Sequence, residues 1–123
     1  MRVLVVDDDR QNREILGRLL ERLGAEVSAA EDGPEALRSF GGADFDLVLL
    51  DLSMPGMDGL EVAAAMRSVE ERERRRRTPI VALSGLDEDG GILGTGIDEF
   101  IQKPVGTDVL RAMLERWAPR ETS

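Results

Sequence analysis

The sequence predicts an α/β domain built on a doubly wound, five-stranded parallel sheet, and three observations predict it. Short unbroken apolar runs alternate along the chain with segments whose apolar residues recur at helical spacing. The runs lack polar alternation, which suits strands covered on both faces. With 123 residues, 41% of them apolar, the chain is long enough for one core and too short for two, so residues 1–123 are expected to form one domain.

Each element follows from its local pattern. Residues 3–6 read as the first strand. Ile15, Leu16, Leu19, Leu20 and Leu23 then form a helical stripe that Gly24 stops. A weaker strand covers 25–30. Asp32-Gly33-Pro34 opens a second helix carrying Ala36, Leu37 and Phe40, with proline in the first turn, where it fits. Residues 47–50 are the third strand. The third helix runs from about Leu60 through Val62, Ala63, Met66 and Val69 into a charged tail, Glu70-Glu71-Arg72-Glu73-Arg74-Arg75-Arg76-Arg77. That tail reads as solvated surface, with docking of an acidic partner as the alternative. The fourth strand covers 80–83. Position then dictates a helix within 86–98, but Gly90, Gly91, Gly94 and Gly96 each cost a helix interior about 1 kcal/mol, so the fourth helix is expected to be weakened. Phe100-Ile101 marks the last strand. A final helix with Thr107-Asp108 as its cap carries Val109, Leu110, Met113, Leu114 and Trp117.

Composition narrows the chemistry. The chain has no cysteine, which excludes disulfide scaffolds, zinc ribbons and thiol nucleophiles, and no histidine, which removes the usual general base and soft metal ligand. Any metal would be a hard cation held by oxygens. A formal charge of −9 disfavours direct nucleic-acid binding. No apolar run approaches the roughly 20 residues of a membrane span, and no signal-peptide pattern opens the chain. A soluble cytoplasmic protein without membrane insertion is expected.

Open parallel sheets place their sites at the carboxyl ends of the strands. The first run ends in Asp7-Asp8-Asp9, the third in Asp51, the fourth in Ser84 and the fifth in Lys103-Pro104. If Asp7, Asp8 and Asp51 converge, each like-charge pair about 4 Å apart costs on the order of 4 kcal/mol at an effective dielectric of 20. Positive charge must share the pocket: Mg2+, which accepts all-oxygen ligands, and Lys103. Lys103 stands out because the other 15 of the 16 basic residues are arginine. Its compact ammonium can meet a phosphoryl oxygen or carboxylate as a point charge where a planar guanidinium does not fit. Ser84 offers a hydroxyl donor, and Gly85 beside it leaves room for a group to approach.

These residues resemble the receiver domain of two-component response regulators, the flavodoxin-like, CheY-like (βα)5 fold. The resemblance covers essentially the whole chain. Val5-Val6-Asp7-Asp8 is similar to the family's acidic pair, and Asp51-Leu52-Ser53-Met54-Pro55-Gly56-Met57-Asp58-Gly59 to its phosphoacceptor strand and loop. Pro79-Ile80-Val81-Ala82-Leu83-Ser84-Gly85 resembles the strand ending in Ser/Thr, and Lys103-Pro104 the Lys-Pro step, whose peptide bond is expected to be cis. The resemblance implies that Asp51 accepts a phosphoryl group from a sensor histidine kinase or histidine phosphotransfer protein. It implies that Asp8, Asp51 and the main-chain carbonyl of Ser53 ligate Mg2+, with Asp7 acting through a bound water. Lys103 and Ser84 would hold phosphoryl oxygens, and Ser84 and Phe100 would move together in a switch read by a downstream protein. A carboxylate nucleophile needs no general base at neutral pH, so the lack of histidine is no obstacle. Such a module is a signalling protein that assists its own phosphorylation and dephosphorylation, not an ordinary enzyme.

The short, glycine-rich stretch 86–98 departs from the family pattern where other members have their fourth helix. Among rival readings, a flavodoxin-like cofactor protein needs a first loop that welcomes phosphate, which Asp7-Asp8-Asp9 repels. An aspartate-based phosphatase normally carries an acid-base residue where Ser53 stands. A non-phosphorylated pseudo-receiver acting as a protein-interaction module is the alternative. Only residues 118–123 follow the last helix, so the chain reads as a stand-alone receiver or a piece of a larger kinase. The Gly96-Ile97-Asp98-Glu99-Phe100 approach and the helix ending at Trp117 lean toward receivers of hybrid histidine kinases.

Overall fold

In the computed structural model, residues 1–52, 59–85 and 96–118 are described. Strands β1 (Arg2–Val6), β2 (Glu26–Ala30), β3 (Leu47–Asp51), β4 (Ile80–Ser84) and β5 (Glu99–Gln102) form one parallel sheet in the order β2-β1-β3-β4-β5. Helices α1 (Arg10–Arg22), α2 (Gly33–Gly42), α3 (Gly59–Arg72) and α4 (Thr107–Trp117) complete the described elements. Of the stretch 86–98 where the weakened fourth helix is expected, residues 86–95 lie outside the described residues, and Gly96, Ile97 and Asp98 are not helical.

Strand periodicity divides the core into two layers. Leu4, Val6, Val48, Leu50, Ile80 and Ala82 pack with Ala36 and Phe40 of α2 and Ala63 and Met66 of α3. Val3, Val5, Leu49, Val81 and Leu83 pack on the other face with Leu16 and Leu20 of α1 and Leu110 and Met113 of α4. β3 and β4 are buried at every position, as expected for strands covered twice.

The helices start where their caps dictate. The Asp9 carboxylate accepts the amides of Gln11 and Asn12 at 2.9 and 3.3 Å, and that of Asp32 accepts Glu35 N–H at 2.8 Å. Gly24, at φ 98°, supplies the left-handed residue after α1. The cap expected at Thr107-Asp108 is corrected: Gly106 occupies the N-cap of α4 and offers no side-chain acceptor. Two stripe residues also face outward, Ile15 at 51% and Val109 at 41% exposure. Each adjoins a buried stripe residue, Leu16 or Leu110, and takes the solvent-side edge of its stripe.

The charged tail is only partly solvated. Arg72 and Arg74 are exposed, but Glu70 is buried and accepts Thr78 N–H at 2.6 Å. Arg75 lies over the Phe40 ring, 5.0 Å from its centroid, and donates to the carbonyls of Phe40 and Ala43, both at 2.7 Å. A run of like residue types carries no period, so nothing in the sequence separated the members that fold inward from those that do not. Among the described residues no helix is long and apolar enough to cross a membrane.

Candidate functional site

The carboxyl ends of β1, β3, β4 and β5 bring Asp7, Asp51, Ser84 and Lys103 together. Asp7 follows β1 directly, and its N–H donates to Ala30 O at 3.1 Å. Its carboxylate accepts Asp9 N–H at 2.9 Å, and its carbonyl accepts from Arg13 Nη1 at 2.8 Å. Asp51 ends β3 with 3% exposure, and its Oδ2 accepts from Lys103 Nζ at 2.8 Å. Ser84 ends β4 fully buried, its Oγ donating to Gly85 O at 3.2 Å. Lys103 is placed by the sheet itself, its N–H donating to Ser84 O at 2.8 Å. The Lys103-Pro104 peptide is cis, as expected.

The other residues singled out in the sequence are placed less centrally. Asp8, beside Asp7, is exposed. Phe100 is half-buried on β5 opposite Ala82 and packs against the layer formed with α2 and α3. Ser53 lies outside the described residues, with the loop through Asp58. Arg13 is a site neighbour that sequence reasoning missed. It stands four residues after the cap Asp9, so one helical turn returns it to the end of α1 nearest Asp7.

Electrostatics mark the pocket as short of positive charge. Burial, reinforced by the nearby Asp51 carboxylate, pushes Asp7 up from 3.8 to about 6, although the Asp9 N–H and Lys103 pull the other way. Two nearly buried carboxylates, Asp7 and Asp51, face one ammonium, while Asp8 is exposed and does not meet them in a three-carboxylate cluster. Such an oxygen-only donor set fits a hard divalent cation and no soft one. Beside it, a groove of about 530 Å³ runs between α1 and the segment after β5, lined by Asn12, Ile15, Leu16, Leu83, Pro104 and Val105, and reaching Asp7 and Lys103.

Comparison with known proteins bears on the fold and the family. The response regulator receiver domain model matches residues 3–115. Sensor protein GacS of Pseudomonas syringae pv. syringae is 39% identical over 119 residues, covering 94% of this chain and 13% of GacS. Response regulator MprA of Mycobacterium sp. (strain KMS) is 40% identical over 128 residues, covering 98% of this chain and 54% of MprA. The chain therefore spans a small part of one relative and about half of the other. Among solved structures, the receiver domain of sensor histidine kinase PA1611 from Pseudomonas aeruginosa PAO1, with magnesium in its active site cleft, superposes with a TM-score of 0.82 at 29% identity. That match covers 94% of this chain and 95% of that one. Response regulator TrrA from Thermotoga maritima, in complex with Mg(2+)-BeF, gives a TM-score of 0.79 at 34% identity, over 94% and 97% of the two chains. The family match begins in β1 and ends in α4, leaving no strand of the sheet outside it, and this chain belongs to the family of response regulator receiver domains.

Proposed function

We propose that Asp51 accepts a phosphoryl group from a phosphohistidine on a sensor histidine kinase or phosphotransfer protein, and that the acyl phosphate changes which protein the domain engages. The observation that carries this reading is the 2.8 Å contact between Lys103 Nζ and Asp51 Oδ2, made beside Asp7 at the carboxyl ends of the strands. An Asp51 oxygen attacks phosphorus, the P–N bond breaks, and its electron pair leaves with the imidazole. Lys103 moves from the carboxylate to a phosphoryl oxygen, and the Ser84 hydroxyl turns from Gly85 O to donate to another. Phe100, on the neighbouring strand, follows Ser84 as the switch element. Asp8, Asp51 and the Ser53 carbonyl would hold Mg2+, with Asp7 acting through water. When bound, the ion supplies charge neutralisation for the phosphoryl oxygens. Incubation with phosphoramidate and Mg2+, followed by mass spectrometry, tests the reading. One phosphoryl group mapped to Asp51 and lost on chelation supports it, and no labelling at any Mg2+ concentration overturns it.

The apolar groove beside Lys103 is where the donor protein rests, because Asp51 is too buried for a flat surface to reach without an adjoining seat. Ile15, half exposed on its wall, is the accessible anchor. Ile15→Arg is expected to reduce phosphoryl transfer from a phosphohistidine protein about tenfold, the effect of losing one apolar anchor, while the phosphoramidate rate stays unchanged. Equal losses with both donors would place Ile15 in the site rather than the docking surface.

A further inference from the structure

Lys103 reaches Asp51 only if β5 keeps one register against β4. β5 is a four-residue edge strand, and its apolar pattern specifies that register weakly. Ile101 packs in one core layer and Phe100 against the other, so a slip of one residue exchanges two apolar side chains between two apolar layers. The same slip would put Gln102 or Pro104 where Lys103 now meets Asp51.

A partly buried polar cluster at the opposite end of the strand holds what the apolar pattern leaves loose. Asp98, just before β5, engages both backbone groups of Ile80, the first residue of β4. Its N–H donates to Ile80 O at 2.8 Å, and its Oδ2 accepts Ile80 N–H at 2.9 Å. Arg67 of α3 grips the same place with its whole guanidinium. Nη2 donates to Asp98 Oδ2 and Gly96 O, both at 2.7 Å, and Nε to Gly96 O at 3.0 Å. Nη1 donates to Thr78 O at 2.8 Å and Glu70 Oε1 at 2.9 Å. The five N–H groups thus meet acceptors from α3, the approach to β4 and the approach to β5, a set that one ammonium cannot span. Gly96 permits the approach: its φ is 101°, and a Cβ there would lie 3.3 Å from Arg67 Cγ. Arg67 and Asp98 side chains are each 16% exposed, so these charge-assisted bonds are shielded from water. A one-residue slip would set Ile97 at the Asp98 position, leaving Arg67 and Ile80 N–H without a carboxylate, or would set there the longer Glu99, which would give up its bonds to Arg116 and Trp117.

We infer that Arg67 and Asp98 form a register clamp on β5, making them positioning residues that present Lys103 to Asp51 from the far end of the sheet. The functional half of this inference rests on the phosphoacceptor reading; the structural half does not. Hydrogen exchange in the full chain tests the clamp through Lys103 N–H, bonded to Ser84 O across β4 and β5, with Asp7 N–H, bonded to Ala30 O beyond β1 and β2 and away from the cluster, as the reference. Arg67→Gln is expected to lower protection at Lys103 about tenfold more than at Asp7, and to slow phosphoramidate labelling of Asp51 by a similar factor with unchanged Mg2+ dependence. Asp98→Asn, which keeps an acceptor for Ile80 N–H but loses the charge facing Arg67 and also Arg77, whose Nε and Nη2 donate to Asp98 Oδ1 at 3.0 and 2.8 Å, is expected to give a loss of the same kind, and it decides the matter should Arg67→Gln not fold. Uniform loss across both amides, or no change, overturns the clamp. Selective loss at Lys103 without slower labelling overturns its role in positioning. Absence of labelling in the unaltered chain overturns the phosphoacceptor reading, while the exchange pattern still judges the clamp.

Discussion

Exchanging Lys103 for methionine is expected to slow phosphoryl uptake at Asp51 roughly 10²- to 10³-fold, the range typical of losing one preorganised charge-stabilising group. Methionine keeps an apolar stem of similar reach and removes the ammonium that stands 2.8 Å from Asp51 Oδ2. As phosphoryl transfer proceeds, negative charge on the transferring oxygens loses the cation positioned to receive it. Lys103→Arg is not expected to restore the rate, because a planar fork cannot occupy the volume of a point charge beside two buried carboxylates. Labelling rates with phosphoramidate at saturating Mg2+ provide the measurement. A methionine variant within twofold of the unaltered protein would contradict the role given to Lys103.

Asp7→Asn is expected to stabilise the metal-free protein at pH 7 by about 2–3 kcal/mol, the free energy matching a rise from 3.8 to about 6. The sign follows from proton counting. Between pH 4 and pH 6 the folded chain keeps a proton on Asp7 that the unfolded chain has released, so stability falls as pH rises through this window. Above pH 6 the full penalty of a buried carboxylate beside Asp51 is present; below pH 4 it is absent. Asparagine has no such titration and still offers an oxygen to Asp9 N–H. Urea unfolding in chelator should therefore show the variant more stable at pH 7 and the two proteins alike near pH 4. Added Mg2+ should stabilise the unaltered protein more than the variant, because Asp7 is then offset by the ion. A variant no more stable at pH 7 would show that Asp7 is not strained by its surroundings.

The fold was legible because its determinants are periodic. Unbroken runs at 47–50 and 80–83 became strands buried at every position, and the spacing around Leu16 and Leu20 became a helix seated on the sheet. The candidate site was legible for a related reason: in a parallel sheet the residue after each run falls at the same end, so the pattern itself places Asp7, Asp51, Ser84 and Lys103 near one another. Exposure of Ile15 and Val109 was not legible, since both lie within the width that helical spacing allows. The cap at Gly106 was missed because glycine carries no side-chain acceptor, whereas the neighbouring Thr107 and Asp108 do.

Sequence alone determined the order of elements, the apolar layers and the strand ends that carry charge, all of which depend on residues close together along the chain. Tertiary structure alone decided the fates of the arginines. Arg13 turns to the Asp7 carbonyl, Arg75 to Phe40, and Arg67 to Gly96, Asp98 and Thr78. These partners lie up to 35 residues away. A guanidinium pairs with whatever carbonyl or carboxylate the packed backbone brings within reach, and no periodicity in the chain records which one that is.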